Sequence, residues 1–205
     1  MTRTDTLQMV NPQVPEDAAR ADLYALLARL FYAGPDAAVL DAIVRADSLV
    51  GQGDSPLARA WLDLQAASRS ADARATQDEY LSLFVGVGKA PISIYASHYL
   101  TENYKELTLV HLRDELERLG LARKAEAAEP EDHVAALLDV MRHLVQRNSD
   151  VASSQAAFFR SYLIPWGEKL CTAIEGSSTA VYYQPVSRLM KSFLAIEVEV
   201  FEWAV

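Results

Sequence analysis

The sequence predicts an all-α protein, a single-domain bundle of about eight to ten helices. Apolar residues recur at helical spacing in one segment after another. Proline, glycine and acidic residues stand where such segments begin and end. No strand-rich block indicates a sheet. The 205 residues, of which 51% are hydrophobic and 23% charged, are ordinary globular composition and long enough to bury a sizeable core.

The first half of the chain is predicted to hold a tail over residues 1–14 and then four helices of the helical domain at 15–205. The first helix has an apolar stripe spaced i, i+3, i+4, i+7 and i+8, made of Leu23, Leu26, Leu27, Leu30 and Phe31. Pro15 suits the start of this helix and Gly34-Pro35 its end. Asp36 suits the start of the second helix, and Ser55 and Pro56 the start of the third. A fourth helix is expected over roughly 72–84.

Residues 85–97 interrupt the helical pattern with a loop that is apolar, whereas most connecting loops are polar. Helical spacing resumes at about residue 98 and continues to Gly120. A polar, Ala-rich connector follows over 121–130. We therefore single out the apolar loop as the least ordinary segment of the predicted bundle.

The C-terminal part of the chain is predicted to be helical throughout. The first of its helices is expected to begin at Pro130-Glu131-Asp132, because a proline followed by acids suits a helix N-terminus. Further helices are expected over about 150–163, 165–175 and 178–202. Within the last of these, residues 196–200 alternate like a strand, but they have no visible partner strand and we predict a helix.

The charge balance and the single cysteine exclude several classes of function. With 19 Lys+Arg against 28 Asp+Glu, the formal net charge is −9. Nucleic acid is therefore not an expected partner, and a cationic partner fits better. Cys171 alone forms neither an internal disulfide nor a Cys-based zinc site, and we expect it to be a buried thiol. Residues 1–6 lack an apolar leader core and no apolar run approaches a membrane span, which predicts a cytoplasmic protein without stable membrane insertion.

Motifs for enzymatic chemistry are incomplete. A phosphate-binding loop at Gly88-Lys89 would need glycine at Leu83 and Ser or Thr at Ala90. The carboxylate–histidine motifs of di-iron bundles and zinc proteases are absent. One enzymatic alternative is kept, a helical metal-dependent hydrolase built on Asp132, His133, Asp139 and His143. The competing interpretation is an acidic helix start and an exposed i,i+4 pair, and the preferred expectation is no catalytic residue, no metal and no cofactor.

Three groups of residues occur in an order that resembles a known family. The first comprises Tyr80, Leu83-Phe84, Gly86, Pro91 and Tyr95-Ala96-Ser97-His98-Tyr99. The second is Glu129-Pro130-Glu131-Asp132-His133, followed by Leu138, Met141 and Leu144, and the third is Phe158-Phe159, Leu163 and Trp166. Together they resemble the TorD-type chaperones of twin-arginine-exported redox enzymes. The chain departs from that pattern at Val87-Gly88-Lys89, where relatives often have Gly-Pro.

The resemblance implies a cofactor-free chaperone rather than an enzyme. Its partner would be the precursor of a molybdopterin oxidoreductase, bound through the twin-arginine signal peptide, with export held back while the cofactor is inserted. The protein would act as a monomer, with a domain-swapped dimer as the alternative. A helical subunit that stays in a larger complex is a further hypothesis.

The candidate residues suit such a client, whose signal peptide has a cationic region followed by an apolar one. Apolar groove walls and nearby carboxylates would bind it. The predicted signal-peptide-binding residues are Tyr80, Leu83, Phe84, Tyr95, Ser97, Tyr99, Glu129, Pro130, Glu131, Asp132 and His133. The candidates also have structural alternatives: Leu83 and Phe84 as core residues, Tyr95 and Tyr99 as packing of the loop onto the bundle, Pro130 as a turn residue, Glu131 and Asp132 as helix-start acids, and His133 as a cap or as a residue that orients an acid. Trp61 and Trp166 are expected to be core residues.

Overall fold

The computed structural model describes residues 15–46, 54–100, 105–123, 128–147 and 151–203. The predicted tail at 1–14 and residues 124–127 of the predicted connector lie outside these ranges. The described residues form α1 (Pro15–Tyr32), α2 (Ala37–Arg45), α3 (Pro56–Ser70), α4 (Ala73–Tyr80), α5 (Ala96–Leu100), α6 (Lys105–Arg118), α7 (Val134–Gln146), α8 (Val151–Tyr162), α9 (Ile164–Glu175) and α10 (Tyr183–Trp203). The predicted all-α class is confirmed.

Helix starts in the first half follow the local signals. The Asp36 carboxylate accepts a hydrogen bond from the Val39 amide at 2.9 Å, and Ser55 Oγ accepts one from Ala58 at 3.1 Å. Asp72 caps α4 in the same way. Each cap satisfies an amide that has no partner within its own helix. After α4 the chain continues through a π-helical turn over Leu81–Val85, which ends at Gly86.

The start of α7 differs from the prediction. Residues 130–132 form a turn, the helix begins at Val134, and His133 is its N-cap, with Nδ1 accepting from the Ala135 amide at 3.1 Å. The reason is that Asp132 caps α5 instead. Its carbonyl accepts a hydrogen bond from the Ala96 amide and its carboxylate accepts one from the Ser97 amide, both in the first turn of α5. The two motif segments are thereby joined before α7 begins.

The start of α10 also differs, at Tyr183 rather than at residue 178. The Glu79 carboxylate accepts hydrogen bonds from the amides of Val181, Tyr182 and Tyr183 at 2.8 to 2.9 Å, so it caps the helix from α4. Residues 196–200 are helical, as predicted.

The core lies between α1 and α7 on one side and α3, α9 and α10 on the other. Trp61 and Trp166 are buried in it, which confirms their predicted role. The Trp166 indole donates to the Tyr162 carbonyl at 2.6 Å. Cys171 is buried as predicted, and burial raises the pKa of its thiol to about 12, so the thiol is protonated and unreactive at neutral pH.

A buried ion pair, which the sequence analysis did not anticipate, ties α1 to α10. The Arg20 guanidinium donates to both oxygens of Glu197, at 2.7 and 2.8 Å, and the Tyr24 hydroxyl donates to the same carboxylate at 2.7 Å. Arg20 also reaches Gln155 of α8 and Asp17. Because Glu197 is fully buried, its carboxylate has no contact with solvent, and these hydrogen bonds take the place of bonds to water.

Within the described ranges, no helix combines the length and the apolar character that crossing a bilayer would require.

Candidate functional site

The two motif segments of the sequence meet at one antiparallel backbone bridge between Tyr95 and His133. The Ala96 amide donates to the Asp132 carbonyl at 2.9 Å and the Val134 amide donates to the Ile94 carbonyl at 2.8 Å. The aromatic ring of Tyr95 and the imidazole of His133 meet edge to face, with centroids 5.2 Å apart. The bridge therefore fixes the segment at 129–133 against the end of the apolar loop.

Two carboxylates of the second motif face inward and are held by the first motif. Asp132 is buried, and its carboxylate accepts the Ser97 amide at 3.1 Å. Glu129 accepts the Tyr95 hydroxyl at 2.5 Å. Burial and the Glu129 carboxylate both raise the pKa of Tyr95, which stays a protonated donor. Asp132 thus orients α5, whereas Glu129 stands at the edge of a cavity.

His133 combines burial with the capping role described above. Burial lowers the pKa of its imidazole, while the carboxylates of Glu129 and Asp132 act in the opposite direction. Because Nδ1 accepts the Ala135 amide, it carries no proton in the folded protein. The imidazole is therefore neutral in this arrangement.

A cavity of about 540 Å³ lies beside this segment, between α1, α6, α7 and residues 121–123 and 129–131. Of the eleven predicted site residues, Glu129, Pro130, Glu131 and His133 line it. The apolar part of its wall is formed by Ala25, Ala28, Leu116, Leu121, Ala135, Ala136 and Val140. Its volume is within the range in which proteins hold ligands. An apolar wall that carries carboxylates as well as the arginines Arg29, Arg123 and Arg142 can hold apolar side chains with a charged group beside them.

Two of the carboxylates that line the cavity, Glu131 and Asp139, are paired with arginines. Glu131 is bound by Arg113 and lies 3.7 Å from Arg123. The Arg113 guanidinium holds the pKa of Glu131 below its usual value, so the carboxylate is charged. Asp139 is paired with Arg142 at 2.7 Å within α7. Both carboxylates are therefore balanced by arginines of the chain itself.

The other predicted residues support the segment from the core. Tyr80, Leu83 and Phe84 are buried, and the Tyr80 hydroxyl donates to the carbonyls of Phe31 and Tyr32 at the end of α1. Tyr99 donates to the Ser93 carbonyl and stacks on Trp166. In this conformation these side chains pack the fold and do not line the cavity, so their contact with a client stays a prediction.

The apolar loop is divided between the core and the surface. Ile92 and Ile94 are buried, while Val85 and Val87 are exposed. The buried isoleucines explain why the loop is apolar, since they anchor it beneath the bridge.

The four residues proposed as a metal site do not converge. Asp132 binds a backbone amide, His133 caps α7, and Asp139 pairs with Arg142. No group of three or more His, Cys, Asp or Glu side chains suited to a metal ion occurs within the residues that the structure describes. The alternative of a metal-dependent hydrolase is therefore unsupported. Asp132 and His133 also precede α7, which begins only at Val134, so the four residues do not share one helix.

Sequence reasoning missed most of the apolar cavity wall. Tyr32 projects into it from the end of α1, is 55% exposed, and lies edge to face with His133, their centroids 6.5 Å apart. Leu116 and Val140 line it from α6 and α7. The only available signal was an aromatic residue two positions before the helix stop at Gly34-Pro35.

Comparisons with known proteins agree with the sequence pattern. Residues 51–172 match the profile of the family described as "Nitrate reductase delta subunit". A protein of Haemophilus influenzae described as "Uncharacterized protein" is 28% identical over 179 residues, which cover 83% of this chain and 88% of that protein.

Two similar proteins are described as chaperones. "Chaperone protein TorD" of Aliivibrio salmonicida is 25% identical over 132 residues, covering 59% of this chain and 61% of that protein. "Chaperone protein TorD" of Actinobacillus pleuropneumoniae serotype 3 is 32% identical over 120 residues, covering 57% of this chain and 58% of that protein. The chain thus matches about three fifths of the length of these two relatives.

Proposed function

The chain belongs to the nitrate reductase delta subunit family, the TorD-type chaperones of redox-enzyme maturation, and we propose that it binds the twin-arginine signal peptide of a molybdopterin-containing oxidoreductase precursor. It does so in the cytoplasm, before export. Binding holds the precursor back while its cofactor is inserted, and release then allows export.

The observation that carries this proposal is the cavity beside the Glu129–His133 segment. Its wall carries apolar side chains from α1, α6 and α7, and its lining carboxylates include Glu129 and Glu131. A signal peptide offers the complementary pattern, an apolar stretch next to a cationic one. A volume of about 540 Å³ accommodates a few apolar side chains of the client, with the rest of the peptide on the surface.

The apolar contacts are expected to supply most of the affinity. Burial of roughly 500 Å² of apolar surface at about 25 cal/mol/Å² contributes about 12 kcal/mol before costs. Loss of freedom on association and ordering of the peptide offset a large part of that gain. Exposed acid–arginine pairs add mainly to orientation and association rate.

The remaining predicted residues have a supporting place in this proposal. Asp132 and Ser97 hold the start of α5, and Tyr95 holds the Glu129 carboxylate at the cavity. Tyr80, Leu83, Phe84 and Tyr99 pack the loop below the bridge. Their direct contact with the peptide would require the segment at 81–99 to open.

Calorimetry with a synthetic signal peptide tests the proposal. The peptide is the twin-arginine signal peptide of a molybdopterin-containing oxidoreductase precursor. We expect saturable binding, and at least about tenfold weaker binding when the leucines of the apolar stretch are replaced by serine. A peptide with the same composition in scrambled order is the control. Equal affinity for all three peptides would reject the cavity as the binding site.

A further inference from the structure

The Glu131 carboxylate lines the cavity and already holds a cationic side chain of the chain itself. Its side chain is only 11% exposed. Arg113 of α6 binds it with two parallel hydrogen bonds, Nε to Oε1 at 3.1 Å and Nη2 to Oε2 at 3.0 Å. Arg123, in the segment that follows α6, lies 3.7 Å from Oε1 and donates to the Glu129 carbonyl at 3.2 Å. Two guanidinium groups of the chain therefore converge on this one carboxylate.

We propose that Glu131 is a guanidinium subsite, occupied in the unliganded protein by Arg113 and at longer range by Arg123. In the complex an arginine side chain of the client replaces Arg113 on the carboxylate. This inference rests on the proposed function, since it assigns a place to one of the peptide's arginines. The bound Arg113 guanidinium marks where that arginine sits.

Exchange is feasible because Glu131 and its partners differ in exposure. The Arg113 side chain is 56% exposed and that of Arg123 is 41% exposed, so both remain hydrated when they leave the carboxylate. Ion pairs with such exposed partners are weak. A peptide already held in the cavity presents its arginine at high effective concentration and displaces them. Glu131 is never left without a partner, which avoids the cost of an unpaired half-buried carboxylate.

The geometry also selects arginine over lysine. The two parallel bonds at Glu131 need a planar donor pair, which a guanidinium offers and an ammonium does not. The subsite therefore distinguishes a twin-arginine peptide from a twin-lysine peptide at equal charge.

The test measures the dissociation constant of the signal peptide for four variants and the wild type. Arg113→Gln removes the competing guanidinium and should tighten binding about two- to fivefold. Arg118→Gln is the matched control: it lies on the same helix, pairs with Glu115 at 2.6 Å and removes the same charge without touching Glu131. Its affinity should stay within about 1.5-fold of the wild type.

The remaining variants are Glu131→Gln and the double variant Arg113→Gln/Glu131→Gln. Glu131→Gln should weaken binding and abolish the preference for arginine over lysine peptides. In that background Arg113→Gln should have no further effect, because the two residues act through one contact.

The outcomes separate the two proposals. If the wild type binds the peptide but Arg113→Gln and Arg118→Gln change affinity equally, the guanidinium subsite is rejected and the peptide-binding function stands. The subsite is also rejected if Arg113→Gln increases the peptide affinity in the Glu131→Gln background as much as it does in the wild type. If neither the wild type nor any variant binds, the proposed function falls and the subsite with it.

Discussion

Tyr95 and His133 lie opposite each other in an antiparallel backbone bridge, with their rings edge to face at 5.2 Å. This contact joins two motifs that are more than thirty residues apart in sequence. On one side of the bridge α5 begins, capped by Asp132, and on the other α7 begins, capped by His133. The bridge thus sets the relative position of two helix N-termini and of the cavity-lining Glu129.

Replacement of His133 should destabilise the protein through this arrangement. His133→Ala removes the cap of α7 and leaves a small void, and we expect a loss of about 1 to 3 kcal/mol in the free energy of unfolding. His133→Asn is the matched control, because asparagine is a good N-cap and restores the acceptor for Ala135. Urea denaturation measures both. Equal destabilisation by the two variants would contradict the capping role.

The same histidine should make stability depend on pH. Its pKa is lowered in the folded state by burial, against the opposing carboxylates of Glu129 and Asp132. Just below pH 6.5, the ordinary pKa of histidine, His133 is therefore protonated in the unfolded chain but still neutral in the folded protein. Stability should be full above that value and decline as the pH falls through the window below it.

The measurement compares thermal unfolding at pH 7.5 and pH 5.5 for the wild type and His133→Asn. The melting temperature of the wild type should fall further between the two pH values than that of the variant. The other titrating groups are common to both proteins, so the difference reports on His133. Parallel losses in the two proteins would show that His133 is not the titrating group.

The buried pair of Arg20 and Glu197 should be costly to break from one side. Glu197→Ala leaves the largely buried guanidinium without its main partner, since the side chain of Arg20 is only 15% exposed. We expect a loss of about 3 to 5 kcal/mol in the free energy of unfolding. The double variant Arg20→Met/Glu197→Leu should recover much of it, because no uncompensated charge remains. A double variant as unstable as the single one would show that packing, not charge, dominates.

Glu79 should stabilise α10 from outside that helix. Its carboxylate accepts three successive amides, of Val181, Tyr182 and Tyr183, that have no partner within the helix. Glu79→Ala should therefore cost about 1 to 2 kcal/mol in urea denaturation. The adjacent Asp78→Ala changes the same charge on the exposed face of α4 and should be nearly neutral. A similar loss in both variants would indicate a general charge effect.

The accuracy of the sequence predictions follows from the range of the interactions that decide each feature. The caps at Asp36 and Ser55 involve amides three residues away, so the local pattern identified them. The late start of α10 depends on Glu79, 102 residues from Val181. The ion pair between Arg20 and Glu197 spans 177 residues. No local pattern contains such contacts.

In the candidate site too, the features set by local sequence were predicted and those set by distant contacts were not. Glu129–His133 was identified as a unit, and four of its five residues line the cavity. Leu83 and Phe84 were grouped with it because their neighbours in sequence belong to the motif, yet their side chains turn into the core. Leu116 and Val140 were overlooked because a residue that lines a cavity and a residue that fills a core share the same helical spacing.

The cavity itself is tested by filling it. Ala136 lies on α7 and lines the apolar wall while half-buried, so a larger side chain there projects into the empty space. Ala136→Trp should weaken binding of the signal peptide at least about tenfold, because the indole occupies the volume that the client's apolar side chains would fill. The control is Ala66→Trp on the exposed face of α3, which adds the same side chain in a helix away from the cavity. Melting temperatures verify that both variants are folded before affinities are compared by calorimetry. Unchanged affinity in a folded Ala136→Trp variant would show that the peptide binds elsewhere on the surface.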